Sequence, residues 1–455
     1  MASQPPAPSR QRLSAEMGSS ITSVGRAKSV AQATGEYTTR TVSNASFASV
    51  PFPVRRRERY RPDDCPRTPT RRQKGTILEA RDRRGGRIYA LPAQEFGYPV
   101  EGGAEFVHGT APVTRVLMRE ARLSLSPTLG ARWSARSGAL LPDEGPLPHA
   151  GLFYHALRKL KADLPISEFL ETHFAGPQYS ELRRSVTRTV EGYDTADPHR
   201  ASTLALREEW MGRGQGRHGR IAEGYGALIE YLVSQCGRHG ATIHLGAAVT
   251  AIDAGRRRIA VHCDDGAIFE ADAAILTVPL PVFSEIALPP AAREKAAESA
   301  DIGFGNVVEI LLRFATKWWA DHGGRDLADL SFLRSNATVP TWWTQHPAGH
   351  PVLTGWFAGP KAGTVARLAA GGLVEMGLAS LAEIFDLSPD RIRGDLVASR
   401  AINWGTTPSR AAPIPMIRPK HGKRCRRWRD QMAAQYSFPA RRFMPARIWA
   451  QSRQR

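Results

Sequence analysis

The chain has few cysteines and no long apolar run. Its 4 cysteines lie far apart in 455 residues, with no CxxC pair and no histidine at metal-ligand spacing. This pattern argues against a zinc site and a disulfide framework, and indicates reduced thiols in a cytoplasmic protein. No stretch reaches the ~18 apolar residues of a membrane span, so no transmembrane helix is predicted. The first thirty residues lack the apolar segment of a secretory signal.

Positive charge is plentiful but confined to the two ends. Of the net charge of +19, residues 1–75 contribute +9 and residues 406–455 contribute +12, which leaves the middle at −2. A nucleic-acid-binding surface places basic side chains on a folded domain, whereas these ends are rich in arginine and proline and lack hydrophobic periodicity. The composition predicts poorly ordered ends and gives the middle no electrostatic case for nucleic acid binding.

The stretch Thr76–Ile88 carries the most specific signal. A short apolar run ends at Glu79, and Gly85–Gly86 follows six residues later, framed by arginines. A carboxylate at the end of the second strand of a dinucleotide fold can accept hydrogen bonds from ribose hydroxyls. The glycines would let backbone amides approach a pyrophosphate, with Arg81 or Arg87 supplying charge. A charged surface turn after a strand is the alternative.

Two strings resemble motifs of the flavin-containing amine oxidase family. ILEARDRRGGRI resembles the second FAD-binding motif, and the resemblance implies cofactor contacts by Glu79, Ala80, Arg81, Gly85, Gly86 and Arg87. Gly97–Gly109 resembles the loop that runs beside the flavin, which implies contacts by Gly103, Ala104, Glu105 and Phe106. Small residues there would let backbone amides approach the flavin, although an ordinary glycine turn has the same composition.

A helix, a strand, a meander and a buried strand follow one another between Gly224 and Leu280. Apolar spacing predicts an amphipathic helix after Gly224 and a strand over 242–245. Asp264–Gly266 is typical of a hairpin turn, and 273–280 is typical of a buried strand. The order resembles that of the same family, which implies that Val249 meets the adenine of FAD through its backbone.

The predicted fold class is α/β, with an incomplete Rossmann-like FAD-binding domain and an α+β substrate domain. FAD-binding parts are predicted at 76–125 and 216–282, a helical substrate-domain insertion at 126–215, the substrate domain at 283–404, and basic segments at 1–75 and 405–455. Within the substrate domain, residues 303–314, 341–344 and 353–360 resemble strands of the same family, and helical patterns predict helices over 363–369 and 373–386.

Three departures from the family pattern bear on activity. Arg55–Tyr60 stands where the family has a strand and a glycine-rich turn, so the pyrophosphate would lose a helix N-terminus. Glu309 stands where the family has a lysine that reaches flavin N5 through water, and this position makes Glu309 the catalytic candidate. A carboxylate there would disfavour negative charge on reduced flavin. After Trp404 the family's last flavin motifs are missing.

The composition of both ends is typical of GC-rich coding DNA translated in a wrong frame. Back-translation of residues 433–455 permits a plus-two reading that resembles the family's C-terminal FAD motif. A plus-one reading of the N-terminal arginine block is rich in glycine and alanine. We therefore hypothesise that the chain is an amine oxidase frameshifted at both ends and family-like from about 76 to 404.

The leading functional hypothesis is an FAD-dependent amine oxidase. The resemblance implies hydride transfer from a small-molecule amine to flavin N5, with molecular oxygen reduced to hydrogen peroxide, and neither nucleic acid nor membrane as a partner. A carbon–carbon desaturation on the same scaffold is an alternative, because fold does not determine substrate. Another alternative is an inactive remnant that folds partly and binds no flavin. A third is an interaction protein that uses its basic ends.

Overall fold

A five-stranded sheet and a seven-stranded sheet organise the described part of the chain. A computed structural model describes residues 75–136, 138–143, 147–212, 218–255, 258–297 and 302–405, and the backbone of three further strands at 48–50, 414–417 and 447–450. These residues belong to one unit, Ser43–Arg455. Apart from those three strands, the predictions for 1–74 and 406–455 lie outside the described residues.

The strands are β1 Ala48–Val50, β2 Thr76–Leu78, β3 Ala90–Leu91, β4 Val100–Glu101, β5 Phe106–His108, β6 Leu125–Pro127, β7 Ala131–Arg136, β8 Ala139–Pro142, β9 His218–Ile221, β10 Thr242–His244, β11 Val249–Ala254, β12 Ile259–Cys263, β13 Ile268–Ala271, β14 Ala273–Leu276, β15 Ile302–Gly305, β16 Val307–Phe314, β17 Asp321–His322, β18 Arg325–Asp326, β19 Leu330–Ser335, β20 Thr341–Thr344, β21 Val352–Ala358, β22 Leu396–Asn403, β23 Ile414–Ile417 and β24 Arg447–Ala450. The helices are α1 Ala93–Phe96, α2 Pro112–Glu120, α3 Ala150–Lys159, α4 Ile166–His173, α5 Ser180–Gly192, α6 Thr203–Trp210, α7 Tyr225–Arg238, α8 Pro290–Ala297, α9 Pro360–Thr364, α10 Ala370–Phe385 and α11 Pro389–Gly394. Short 3₁₀ helices span Pro177–Tyr179 and Leu280–Glu285.

The five-stranded sheet has the order β10-β2-β1-β14-β24. β2 pairs in parallel with β10, and β14 pairs in parallel with β24. The central strand β1 runs antiparallel to both of its neighbours, β2 and β14. The sequence predicted that the family's first strand was missing, and an antiparallel segment fills the central position here. Its carboxyl end therefore lies at the edge opposite to the carboxyl end of β2.

The meander β11-β12-β13 forms where local sequence predicts it. In β12, Ile259, Val261 and Cys263 are buried while the residues between them are partly exposed, which is the period of a strand with one covered face. Gly266 has φ +83°, in the left-handed region that the hairpin turn requires. The predicted helix after Gly224 is α7, and the predicted strands of this region are present, although the one predicted over 273–280 ends at Leu276 and Leu280 begins a 3₁₀ helix.

The seven-stranded sheet carries the largest hydrophobic core. Its order is β22-β16-β21-β20-β19-β7-β8, and α10 packs on it. Seven of the eight residues of β16 are buried, because antiparallel neighbours flank the strand and helix and loop segments cover both faces. The predicted substrate domain thus has a continuous sheet at its centre.

The predicted helical insertion at 126–215 differs from the structure at its start. Helices α3 to α6 form a separate hydrophobic core, as the apolar spacing predicts. Residues 131–142, however, form β7 and β8, and β7 pairs in parallel with β19 of the substrate sheet. Their pairing partner lies about two hundred residues further along the chain, so a local pattern does not reveal the association.

The prediction of a helix over 363–369 is wrong. The helix α9 spans Pro360–Thr364, and residues 365–369 form turns and an extended connection before α10. Pro360 starts the helix because its fixed φ suits the first helical position and its missing N–H would have had no partner there.

No helix among the described residues is long and apolar enough to span a bilayer.

Matched valine substitutions in neighbouring strands should separate burial from strand propensity. Val308 in β16 is 0% exposed and Val397 in β22 is 55% exposed. We expect Val308→Ala to lower the free energy of unfolding by about 1.5–3 kcal/mol, since it removes buried methyl groups and leaves a cavity. Val397→Ala should change it by less than about 0.5 kcal/mol. Equal shifts in urea midpoint for the two variants would contradict this account of the core.

Candidate functional site

Glu79 directly follows β2 and is buried, with only 3% of its surface exposed. Its Oε1 accepts a hydrogen bond from the Arg81 backbone N–H at 3.0 Å, whereas its buried Oε2 has no hydrogen-bond partner. Burial raises the pKa of Glu79 to about 7, although the backbone N–H groups of Arg81 and Ala80 and the charges of Arg81 and Arg83 oppose the rise. A buried acceptor without a donor is suited to a ligand hydroxyl.

Long-range backbone bonds hold Glu79 in place. Its N–H donates to the His244 carbonyl at 2.9 Å, and its own carbonyl accepts from the Ala247 N–H at 2.9 Å. Val249 begins β11 two residues later and pairs with Cys263, with a register shift before Ala251. Glu79, predicted to contact the ribose, is thus bonded to Ala247, two residues before Val249, which is predicted to contact the adenine.

The glycine pair forms a tight turn beside Glu79. Gly85 and Gly86 have φ +98° and +59°. A Cβ on Gly85 would lie 2.5 Å from the Ile88 carbonyl oxygen, so only glycine fits there. Arg83 closes the turn by donating to the Gly86 carbonyl at 2.9 Å.

Arg87 follows the turn, and its side chain is partly buried. Burial lowers the pKa of its guanidinium. No salt bridge joins Arg87 to a carboxylate among the described residues, whereas Arg84 pairs with Glu230 at 3.2 Å. A partly buried cation without an acidic partner next to a glycine turn is suited to a phosphate group.

The loop Gly102–Glu105 lies directly against this turn. The Ala104 N–H donates to the Arg87 carbonyl at 3.0 Å, and the Gly102 N–H donates to the Tyr89 carbonyl at 2.7 Å. A Cβ on Gly103 would lie 2.3 Å from the Arg87 carbonyl oxygen and 3.0 Å from the Trp404 ring. The small residues that the sequence predicted to approach the flavin thus let the loop pack closely against the Arg87 backbone and Trp404.

The side chain of Glu105 bonds to residues on or next to neighbouring strands of the protein. It forms a salt bridge with Arg220 and accepts from Trp343 Nε1 at 2.7 Å and Gln345 Nε2 at 3.0 Å. These bonds tie the loop to β9 and to the end of β20. A cofactor contact by Glu105 would therefore involve its backbone, whereas the sequence did not specify which part of the residue would bind.

Phe106 belongs to a group of aromatic rings between the loop and the substrate sheet. Its ring centroid lies 5.7 Å from Trp343 and 5.9 Å from Phe332, and Trp343 lies 5.8 Å from Trp356. The Arg220 guanidinium stands 4.5 Å above the Phe106 ring. These rings provide an apolar, polarisable wall of the kind that suits an amine substrate.

Trp210, the last residue of α6, does not belong to this group of rings, because its ring packs 6.1 Å from Phe153 in the helical core.

Glu309 lies in the middle of β16 and is 0% exposed. Its cross-strand partners are Trp356 on β21 and Ile402 on β22. A Cβ on Gly102 would lie 2.4 Å from Ile402 Cδ1, so the loop covers the sheet beside Glu309. The residue predicted at the lysine position thus lies beneath the predicted flavin loop.

Two features of this region were not found from the sequence. His108 and His218 share a hydrogen bond at 2.8 Å between their Nδ1 atoms, and burial, with a contribution from His218, lowers the pKa of His108 to about 4. Burial and the nearby Glu209 raise the pKa of Asp194 to about 8, and Trp210 opposes the rise. Both arrangements join residues that are distant or irregularly spaced in the chain, so no sequence spacing rule predicts them.

Known proteins resemble this chain over most of its length. The sequence model of the family described as flavin containing amine oxidoreductase matches residues 71–132 and 138–427. Polyamine oxidase 5 of Oryza sativa subsp. japonica is 27% identical over an alignment of 368 residues that covers 74% of this chain and 71% of that protein. Lysine-specific histone demethylase 2 of Homo sapiens is 26% identical over an alignment of 345 residues that covers 69% of this chain and 41% of the demethylase.

Solved structures share the fold. A double mutant of putrescine oxidase with a redesigned cofactor-binding site superposes with a TM-score of 0.63 at 18% identity, covering 82% of this chain and 87% of that one. Cyclohexylamine oxidase from Brevibacterium oxydans IH-35A gives 0.61 at 16% identity, with coverage of 82% and 87%. At these identities the likeness establishes the α/β, Rossmann-like architecture that the sequence predicted.

The buried Glu79 carboxyl should make stability depend on pH. Its pKa is raised from the ordinary 4.5 to about 7, so the folded state holds the proton more tightly than the unfolded state. Its contribution is therefore fully present below pH 4.5 and is lost as the pH rises through 7, by roughly 3 kcal/mol at most. We expect Glu79→Gln, measured without ligand, to reduce the fall in urea midpoint between pH 5 and pH 8.

The exposed, arginine-paired Glu375 provides the control, and Glu375→Gln should leave that fall unchanged. An identical pH dependence in parent and Glu79→Gln would show that Glu79 is not a buried titrating group.

Proposed function

Because the chain belongs to the flavin-containing amine oxidoreductase family, we propose that it is an FAD-dependent amine oxidase that acts on a small-molecule amine. The observation that carries the proposal is the position of the buried, donorless Oε2 of Glu79 beside the Gly85–Gly86 turn and Val249. FAD is the cofactor of this family, and these residues offer partners for its ribose, phosphate and adenine parts.

The described residues fit FAD in chemistry as well as in place. Oε2 of Glu79 would accept a hydrogen bond from a ribose hydroxyl, since it is buried and has no donor. Arg87 would pair with a phosphate, since burial disfavours its charge and no described carboxylate forms a salt bridge with it. The loop that contains Gly103 and Ala104 would lie beside the isoalloxazine, with its small residues packed against Arg87 and Trp404.

The chain's own residues would bind and orient the amine. When bound, FAD accepts a hydride from the carbon next to the amine nitrogen and passes the electrons to oxygen, which yields an imine and hydrogen peroxide. The rings of Phe106, Trp343 and Trp356 would exclude water from the reacting carbon and favour the neutral form of the amine. The names of the relatives, polyamine oxidase and putrescine oxidase, support an amine as substrate.

We also propose a cytoplasmic location.

A second candidate, a remnant that folds partly and binds no flavin, is favoured by β1. Dinucleotide folds place a phosphate at the helix that follows their first, parallel strand. The central strand here runs antiparallel and ends at the opposite edge, so this strand cannot lead into such a turn beside Glu79. The frameshift hypothesis would account for this difference.

The two candidates differ in a direct measurement. The purified full chain should show flavin absorbance, and should release hydrogen peroxide when an amine such as putrescine or cyclohexylamine is added. Flavin absorbance without turnover of any amine would favour a different oxidation on the same scaffold. A colourless protein that takes up no added FAD would identify the remnant.

Glu79→Ala should weaken FAD binding by about 1.5–3 kcal/mol, the range for a hydrogen bond to a charged group. The measurement is the dissociation constant of FAD by fluorescence titration of parent and variant. Glu270→Ala is the control, because the Glu270 side chain is 60% exposed on the meander of the same domain. An affinity unchanged by Glu79→Ala would remove Glu79 from the cofactor site.

Glu309→Lys should accelerate reoxidation of the reduced protein by oxygen. A cation at this position would stabilise the negative charge that develops as electrons pass to oxygen. Stopped-flow absorbance after anaerobic reduction measures the rate. Glu309→Gln is the control, since it removes the acid without adding a cation and should give no comparable acceleration. Equal or slower reoxidation in Glu309→Lys would show that Glu309 faces away from the reacting edge.

A further inference from the structure

Glu309 is a carboxyl group whose surroundings do little to stabilise a charge. The side chain is 0% exposed, and neither Oε1 nor Oε2 has a hydrogen-bond partner. Its cross-strand neighbours, Trp356 and Ile402, carry no charge. Burial of an ionised carboxylate without a partner is strongly unfavourable, so such a group keeps its proton.

Two further buried carboxyl groups lie near Glu309, and both are better supplied with donors. Glu105 forms a salt bridge with Arg220 and accepts bonds from two more side chains. Glu101 accepts from the Tyr225 backbone N–H at 2.6 Å, at the start of α7. More donors surround these two carboxyl groups than surround Glu309, so Glu309 is the member of the cluster on which a negative charge would be least stabilised.

Most of the remaining influences on Glu309 also favour its protonated form. After burial, the charges of Glu105 and Glu101 raise its pKa further, and no cation among the described residues opposes them. The Trp404 indole is the one neighbour that lowers the pKa. Trp404 also packs against Gly103, so Glu309 and the Gly102–Glu105 loop share Trp404 as a neighbour.

We propose that Glu309 is a neutral carboxylic acid at neutral pH and serves as a positioning residue that donates its O–H hydrogen bond toward the cofactor. This inference rests on the proposed flavin site. The edges of an isoalloxazine present several hydrogen-bond acceptors and a single N–H donor, so an uncharged acid matches them better than a carboxylate. As a neutral donor, Glu309 would not place beside the flavin the negative charge that an ionised glutamate carries.

Infrared spectroscopy tests the proton directly. Only a protonated carboxyl group has the carbonyl stretch of an acid. At about pH 8.5, where Glu79 and Glu101 with pKa values near 7 are ionised, the difference spectrum of parent minus Glu309→Gln should show the loss of one such band. Glu375→Gln, which removes an exposed, arginine-paired carboxylate, should lose a carboxylate band instead. Loss of a carboxylate band in Glu309→Gln would overturn the proposal.

FAD titration tests the donor role. Glu309→Gln keeps an uncharged donor and should bind FAD within about twofold of the parent. Glu309→Leu keeps the size but cannot donate, and should bind about tenfold more weakly. Equal affinity of the Leu variant and the parent would overturn the donor role, and so would a Gln variant as weak as Leu.

A parent that binds no FAD would overturn the donor role together with the proposed function. The infrared result would still decide the protonation state by itself. A parent that binds FAD but oxidises no amine would instead contradict the proposed function alone, and the comparison of Gln with Leu would stand.

Discussion

The parallel pairing of Thr76–Leu78 with Thr242–His244 is the constraint on which the candidate site depends. It joins two segments that lie far apart in the chain, and its backbone bonds continue past both strands, through Glu79 to Ala247 and Arg81 to Gly246. The Glu79 carboxyl is therefore positioned by backbone geometry on both sides. Its own short loop would not be sufficient, because side chains on turns are poorly constrained without such support.

The direction of the central strand decides how an anion could be bound. If β1 ran parallel to β2, its carboxyl end would meet Glu79 at the same edge, and a following helix could direct its N-terminus at a phosphate. Because β1 runs the other way, the positive groups that the described residues provide at this edge are arginine side chains. Arginine supplies charge and paired donors, but its long side chain must be ordered on binding, so affinity that relies on it carries an entropic cost.

Local patterns predicted those parts of the structure that local interactions determine. The meander, α7 and the strand before Glu79 follow from alternation, helical spacing and a glycine turn. The sequence did not predict that β7 and β8 join the substrate sheet, since β7 pairs with a distant strand. It proposed Glu79 and Glu309 as site residues, but could not give their protonation, because this depends on burial by several segments.

The buried carboxyl groups of Glu101, Glu105 and Glu309, in and near the Gly102–Glu105 loop, show how one kind of side chain can have different roles. Glu105 has its oxygens bonded by Arg220, Trp343 and Gln345, so it stabilises the fold. Oε2 of Glu101 and both oxygens of Glu309 are buried without partners. A polar network that is satisfied in one part and unsatisfied in another is costly to retain if it serves only packing, since apolar side chains of similar size would fill the space better. The unsatisfied oxygens are therefore best explained by a ligand or a proton that completes the network. For Glu309, the neighbouring Trp404, which packs against Gly103, associates that role with the candidate flavin site.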